Sequence, residues 1–163
     1  MNVRMPNLNP KQHGFTIVEL LIVIIVIGIL AGLVLNNISG ARGKARDSQR
    51  IADLTNLSSK LEEYYNDNGG YPNTFTASTL PGIDPEALKD PLGNAITINS
   101  PVSDQAVAQG SSAPTANGPN YKYIPYPTGC NSVTCTGYVL MSYIEYPTAT
   151  TPNPYVRTGI NNN

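Results

Sequence analysis

The chain has 163 residues, a formal net charge of −1 and only 13% charged side chains, so charge gives no reason to expect nucleic acid as its main partner. Ten tyrosines and fourteen each of proline and glycine, with no tryptophan, are more typical of a loop-rich exported surface than of a cytosolic enzyme. The one histidine, His13, lies near the N-terminus, so sites that need a histidine pair are not expected.

Residues 15–35 form the most apolar stretch of the chain. Its one ionisable side chain is Glu19, and at about 1.5 Å rise per residue a helix of this length spans a hydrocarbon core of about 30 Å. The stretch is therefore predicted to be a transmembrane helix half. A carboxylate in such a helix costs up to roughly 2.5–3.5 kcal/mol unless something neutralises it. If the chain is cut between Gly14 and Phe15, the new α-amino group of Phe15 supplies a positive charge near Glu19.

The residues around this junction form a specific motif. Lys11-Gln12-His13-Gly14 followed by Phe15-Thr16-Ile17-Val18-Glu19-Leu20 resembles the processing motif of bacterial type IV pilins and type II secretion pseudopilins. The resemblance joins a short basic leader, residues 1–14, to a glycine, a phenylalanine, an acid and a long apolar helix. It implies that a prepilin peptidase cuts after Gly14 and methylates the amine of Phe15. It also implies that Glu19 recruits and registers each subunit in a filament.

Two other interpretations of the N-terminal region stay open. A secretory signal peptide has an apolar core of about 7–15 residues followed by small residues, whereas this run is longer and continues into a helical segment. An ordinary single-pass anchor explains the length of the run. It leaves Glu19 and the junction between Gly14 and Phe15 without a role.

Four basic residues follow the apolar stretch, at Arg42, Lys44, Arg46 and Arg50. Charge counting alone would keep the C-terminal part in the cytoplasm, whereas the processing motif and the cysteines favour export. We interpret the four residues as a solvated stretch that faces lipid headgroups rather than as a specific binding site.

Residues 36–68 are predicted to continue the helix as an amphipathic half. No proline occurs between Phe15 and Asn68, and Asn68-Gly69-Gly70 followed by Pro72 is a strong stop signal, so a helix of about 54 residues is expected. The residues that recur at three- and four-residue spacing and are expected to face the core are Ile51, Leu54, Leu57, Leu61 and Tyr64.

Glycine weakens the middle of this predicted helix. Gly28, Gly32, Gly40 and Gly43 fall there, on either side of the pair Asn36-Asn37. Each glycine costs about 1 kcal/mol of helix propensity relative to alanine, so a bend or a locally unwound segment is expected. The small residues also allow close helix packing in lipid, and both roles are compatible.

Residues 69–163 are predicted to form a small exported globular domain with a flexible tail. Asp84 is expected to cap a short helix that starts at Pro85. The turn Asp90-Pro91-Leu92-Gly93-Asn94 is similar to one that leads into the first strand of pseudopilins. Strands are predicted at 95–99, 121–124 and 137–146, a loop at 101–120, and a loosely ordered tail at 147–163.

The chain has two cysteines, Cys130 and Cys135. Two thiols without a histidine make a poor metal site, because structural zinc takes four nitrogen or sulfur ligands. In an exported domain a disulfide is favoured over free thiols.

No catalytic motif accompanies these features. Phosphate-binding glycine loops, nucleophile elbows and cysteine-histidine arrangements are missing from the sequence. Pseudopilins are known for a calcium-binding loop near the C-terminus, but Glu145 is the one acid after Asp104, so neither calcium nor another cofactor is expected. We do not expect an enzyme.

The sequence thus predicts an α+β, pilin-like fold in which a long N-terminal helix packs on a small antiparallel sheet. The resemblance implies a single-pass membrane protein whose exported domain joins a cell-surface or periplasmic filament. Its implied partners are copies of itself and other pilins, the prepilin peptidase, a membrane platform with its assembly ATPase, and membrane lipid before assembly. The alternative function is a membrane-anchored extracytoplasmic binding module that does not polymerise.

Overall fold

The computed structural model describes residues 14–159, apart from the side chains of residues 34–37. The predicted leader, residues 1–14, lies outside the described residues except for Gly14, and so do the last four residues of the predicted tail. The chain divides into two compact units, Met1–Ser39 and Gly40–Asn163.

One long helix, α1, runs over Ile17–Asn68 and contains 52 residues. The predicted long helix is therefore confirmed to within two residues at its start, and it is continuous, so the locally unwound segment expected at its glycines is not seen. It ends where expected because Gly69 adopts a left-handed backbone with φ of 77° and donates its N–H to the carbonyl oxygen of Tyr65 at 2.8 Å.

The second unit contains a four-stranded sheet in the order β1-β2-β3-β4. The strands are β1 (Thr97–Ile98), β2 (Tyr121–Tyr126), β3 (Gly137–Ser142) and β4 (Tyr155–Thr158). The pair β2 and β3 is antiparallel with Tyr123 opposite Leu140, and β3 and β4 are also antiparallel. The α+β class is thus confirmed.

The sheet is mixed rather than antiparallel throughout, because β1 pairs with β2 in parallel. A parallel pair needs a crossover connection instead of a hairpin turn. The predicted loop at 101–120 supplies that crossover and contains a short helix, α2 (Gln105–Gln109), whose N-cap Asp104 accepts a hydrogen bond from the Val107 N–H at 2.9 Å.

The main core lies between α1 and one face of the sheet. The predicted helix residues Leu54, Leu57 and Leu61 are fully buried there, while Ile51 and Tyr64 are partly buried. The three leucines and Tyr64 pack with a set of buried residues from the sheet and loops that includes Tyr71, Phe75, Tyr121, Tyr123, Tyr138 and Leu140. The predicted apolar face of the amphipathic half is therefore confirmed.

A smaller apolar cluster covers the opposite face of the sheet. It consists of Ala108 from α2 together with Ile124, Tyr126, Val139 and Met141. The predicted loop at 101–120 is therefore wrong for Gln105–Gln109, since both faces of β3 are apolar and α2 shields the second face.

Two further predictions need correction. The third predicted strand, at 137–146, ends at Ser142. The predicted loose tail at 147–163 is wrong for Tyr155–Thr158, which pairs along β3 with Val139 opposite Thr158.

Carboxylates on α1 fix the buried tyrosines of the sheet face. The Tyr121 hydroxyl donates to Asp53 at 2.7 Å. Glu62 accepts from Tyr71 at 2.8 Å and from Tyr138 at 3.1 Å. Burial raises the pKa of Tyr121 and of Tyr138, so both hydroxyls remain protonated donors.

The predicted turn at 90–94 is built around the carboxylate of Asp90. That carboxylate accepts backbone N–H groups from Leu92 at 2.8 Å and Asn94 at 2.9 Å, and the Asn120 side chain at 2.8 Å. Burial raises the pKa of Asp90, but the hydrogen bonds outweigh it, so the pKa lies below its ordinary value. The predicted short helix also forms, over Pro85–Leu88, with Asp84 accepting the Glu86 N–H at 3.0 Å.

Candidate functional site

The predicted cleavage junction precedes α1. Gly14, Phe15 and Thr16 have no helical or strand structure, and the Phe15 side chain is 90% exposed. A peptidase needs an accessible, non-helical peptide bond. The local structure on the Phe15 side therefore meets this requirement.

Glu19 closes a capping box with Thr16 at the start of α1. The Thr16 N–H and hydroxyl each donate to Glu19 Oε2 at 2.9 Å, and the Glu19 N–H donates to Thr16 Oγ1 at 3.2 Å. These bonds satisfy N–H groups that a helix end leaves without partners.

This interaction is not among the predictions made from the sequence, although its signal is present there. A threonine three residues before a glutamate, ahead of an apolar run, is the usual pattern of a capping box. Glu19 therefore has a role within its own chain as well as the predicted role between chains. Within residues 14–159 its second oxygen, Oε1, accepts no hydrogen bond.

Phe15 and Glu19 also lie close together in space. With Leu20 and Val23 they line a shallow hollow of about 240 Å³. The two residues that the sequence predicts to act together are thus neighbours on one side of the helix start.

Beyond this start, the first unit exposes an apolar surface. Between Ile17 and Leu33, its large apolar side chains range from 47% exposed at Val26 to 85% at Ile17. Ile17–Asn68 contains a window long and apolar enough to cross a membrane, and none of that window is buried within the structure. An apolar surface of this kind requires lipid or other helices around it.

The two cysteines are joined by a disulfide with a Cα–Cα distance of 4.9 Å. Cys135 is fully buried, and its carbonyl oxygen accepts the Tyr71 N–H at 2.9 Å. The disulfide loop therefore lies against the segment that leaves α1, and belongs to the framework of the second unit.

The four basic residues after the apolar stretch do not behave alike. The solvated interpretation is wrong for Arg50, which is 1% exposed, whereas Arg46 is 34% exposed and pairs with Glu145 at 2.6 Å. Arg42 and Lys44 are exposed. Over the described part of the chain, no group of three or more His, Cys, Asp or Glu side chains is arranged to hold a metal ion.

Comparison with known proteins gives one family model and several relatives with consistent names. The prokaryotic N-terminal methylation motif matches residues 9–35. The chain is 35% identical over 107 residues to the type II secretion system core protein G of Escherichia coli K12, covering 56% of this chain and 74% of that protein. The corresponding protein of Vibrio cholerae is 34% identical over 106 residues, covering 56% of this chain and 73% of that protein.

Other relatives match over a shorter part of their length. The core protein G of Pectobacterium carotovorum is 36% identical over 90 residues, which span 53% of this chain and 58% of that protein. The chain thus spans little more than half the length of this relative. No solved structure matches the chain.

Proposed function

This chain belongs to the type IV pilin and type II secretion pseudopilin family, and from that membership we propose that it is a structural subunit of a pseudopilus or pilus filament, rather than an enzyme. It polymerises through the apolar N-terminal part of α1. The observation that carries the proposal is an exposed apolar helix that follows an accessible junction between Gly14 and Phe15. Glu19 takes part in the capping box at the start of this helix.

Processing prepares the subunit for assembly. A prepilin peptidase removes residues 1–14 and methylates the new amine of Phe15. Until assembly, residues 15–35 stay in the lipid bilayer while residues 69–163 lie outside the cytoplasm. A membrane platform with its ATPase then extracts the subunit, and the apolar helices of successive copies and of related pilins form the filament core.

The pairing that we propose between subunits uses the free side of the Glu19 carboxylate. Oε2 is held by Thr16 of the same chain, whereas Oε1 points to no partner among the described residues. One carboxylate can accept several hydrogen bonds. Glu19 can therefore keep its capping role and still accept a neighbour's Phe15 amine through Oε1.

The test of this function is Glu19→Ala in the native host. An amine left without its carboxylate in an apolar bundle carries a desolvation penalty of several kcal/mol at every subunit. We expect normal leader removal and near-normal membrane levels, but a sharp loss of sheared or pelleted filaments. Glu19→Gln should fail less severely because it keeps an acceptor.

Thr16→Val is the matched control, since it removes the capping hydroxyl and keeps the acid. It should lower the stability of the helix start by about 0.5–2 kcal/mol while filaments still form. Equal filament loss in Thr16→Val and Glu19→Ala would mean that the acid acts through the cap alone. Normal filaments in both Glu19 variants would favour the anchored binding module instead.

A further inference from the structure

Four charged side chains tie the segment after β3 to α1. Arg46 forms a two-pronged contact with Glu145, from Nε to Oε1 at 2.7 Å and from Nη2 to Oε2 at 2.6 Å. Arg50 Nη1 lies 2.7 Å from Asp47 Oδ1 and 2.8 Å from Glu145 Oε1. We call these four residues with Tyr146 the clasp.

Asp47 also holds the backbone of that segment. Its Oδ1 accepts the Glu145 N–H at 2.9 Å and its Oδ2 accepts the Tyr146 N–H at 2.8 Å. The carboxylate thus binds two consecutive amides and the Arg50 guanidinium at once. Because Asp47 is 6% exposed and Arg50 1% exposed, water competes little for these bonds.

The clasp is the main attachment of this part of α1. Between residues 40 and 53 the buried positions of the helix are Gly43, Asp47 and Arg50, and no leucine, isoleucine or valine is among them. The fully buried leucines of α1 begin at Leu54. The first turns of α1 in the second unit therefore pack through charge and through the Tyr146 ring, which lies against Gly43.

The same turns follow a stretch of poor helix formers. Gly28, Gly32, Gly40 and Gly43 lie within 16 residues of sequence, and glycine is the poorest helix former after proline. Local unwinding that starts in this stretch meets no fully buried leucine, isoleucine or valine before Leu54. Most helical stability in proteins comes from tertiary packing, and at 43–50 the clasp supplies tertiary contacts of this kind.

We propose that the clasp is a conformational stop that confines local unwinding of α1 to residues before Gly43. When the ion pairs of the clasp are broken, the unwinding spreads towards Leu54. In a filament subunit this sets how much of α1 can extend while the globular part stays folded. That use rests on the proposed function. The stop itself is a property of the single chain and is tested without filaments.

The test is hydrogen–deuterium exchange of the full processed protein in detergent micelles at pH 7. The parent is expected to show protected amides from residue 43 onwards and fast exchange at 36–42. Glu145→Gln removes the ion pairs that Glu145 forms with Arg46 and Arg50, with little change in the shape of the side chain. Since hydrogen bonds to charged groups are the stronger ones, exchange at 43–50 and at 145–146 should rise about tenfold or more.

Two controls make the outcome decisive. Arg46→Gln breaks the two-pronged contact and leaves Arg50 paired, so it should give an intermediate rise at 43–50. Glu63→Gln breaks the ion pair with Lys60 on the same helix. The Glu63 side chain is 59% exposed, so this variant should not change exchange at 43–50. In all three variants the amides of 54–65 should stay within about twofold of the parent.

Unchanged exchange at 43–50 in Glu145→Gln would overturn the proposal, since the turns would then hold without the clasp. An equal rise from 43 through 65 would also overturn it, because α1 would then open as one unit with the core. Loss of filaments in Glu19→Ala has no bearing on either result, so failure of the filament role and failure of the stop are distinguishable.

Discussion

The ring of Tyr146 lies where a side chain at Gly43 would be. A Cβ placed on Gly43 would be 3.0 Å from Cδ2 of Tyr146 and 3.1 Å from Oε2 of Glu145, and still closer to the Tyr146 Cε2 atom. The approach to Cε2 is closer than real Cβ contacts show, and the other two are closer than most. Glycine at residue 43 has a low helix propensity, but it leaves the space that the Tyr146 ring occupies.

Replacing the two neighbouring glycines should have opposite effects. Gly40→Ala meets only the Tyr146 hydroxyl at 4.0 Å, an ordinary contact, so it should stabilise α1 by up to about 1 kcal/mol. Gly43→Ala should destabilise the protein by about 1–3 kcal/mol through overpacking. Thermal unfolding of both variants in micelles measures the difference. Stabilisation by both alanines would show that Tyr146 moves aside freely.

The pH dependence of stability should carry the signature of Glu145. The two hydrogen bonds from Arg46, together with the bond and charge of Arg50, lower the pKa of Glu145 from its ordinary 4.5 to about 2. A depressed pKa means that the contribution is fully present above about pH 4.5 and is lost as pH falls towards 2. Its size should be on the order of 2 kcal/mol, allowing for the 22% exposure of the side chain.

Glu145→Gln isolates this contribution. The free energy of unfolding, measured by denaturant titration between pH 7 and pH 2, should fall less steeply below pH 4.5 in the variant than in the parent. Asp90 titrates in both proteins and cancels from the comparison. Glu63→Gln should follow the parent curve because its ion pair is exposed. Parallel curves for the parent and Glu145→Gln would contradict the prediction.

Local signals in the sequence were sufficient for the parts of the fold that depend on neighbouring residues. The absence of proline and the glycines after Asn68 determine α1, and Asp84 with Pro85 determines the short helix. The period-two aromatic and branched residues of β2 and β3 indicate strands without reference to the rest of the chain.

The missed elements depend on distant partners. Tyr155–Thr158 has four residues after two prolines, and it becomes a strand because β3 offers an open edge. Parallel pairing of β1 is set by the crossover through α2 and not by its two residues. In the clasp, Arg46 and Arg50 pair with Glu145, which lies 95 to 99 positions away in sequence. Nothing local to the two arginines indicates this partner, so the sequence predicts only a basic stretch there.

The disulfide should steady the second unit without being needed for assembly. Closing so small a loop is worth roughly 2 kcal/mol by the chain-entropy estimate. Replacement of Cys130 and Cys135 together by serine should lower the free energy of unfolding by about this amount and leave filaments intact. Reduction of the parent should give the same shift, and reduction of the variant none. Two freely alkylated thiols in exported protein would contradict the bond.

The mature chain should begin at Phe15 and carry one methyl group on its amine. The prediction follows from the basic leader, from Gly14 and from the exposed, non-helical Phe15 ahead of the capping box. Intact-mass analysis of native protein measures it directly. Gly14→Ala should slow processing modestly, whereas Gly14→Lys should leave precursor in the membrane, because a peptidase that accepts glycine has no room for a long charged side chain. Assembled material that retains residues 1–14, or a chain cut near Ala31, would show that the segment is not a prepilin leader.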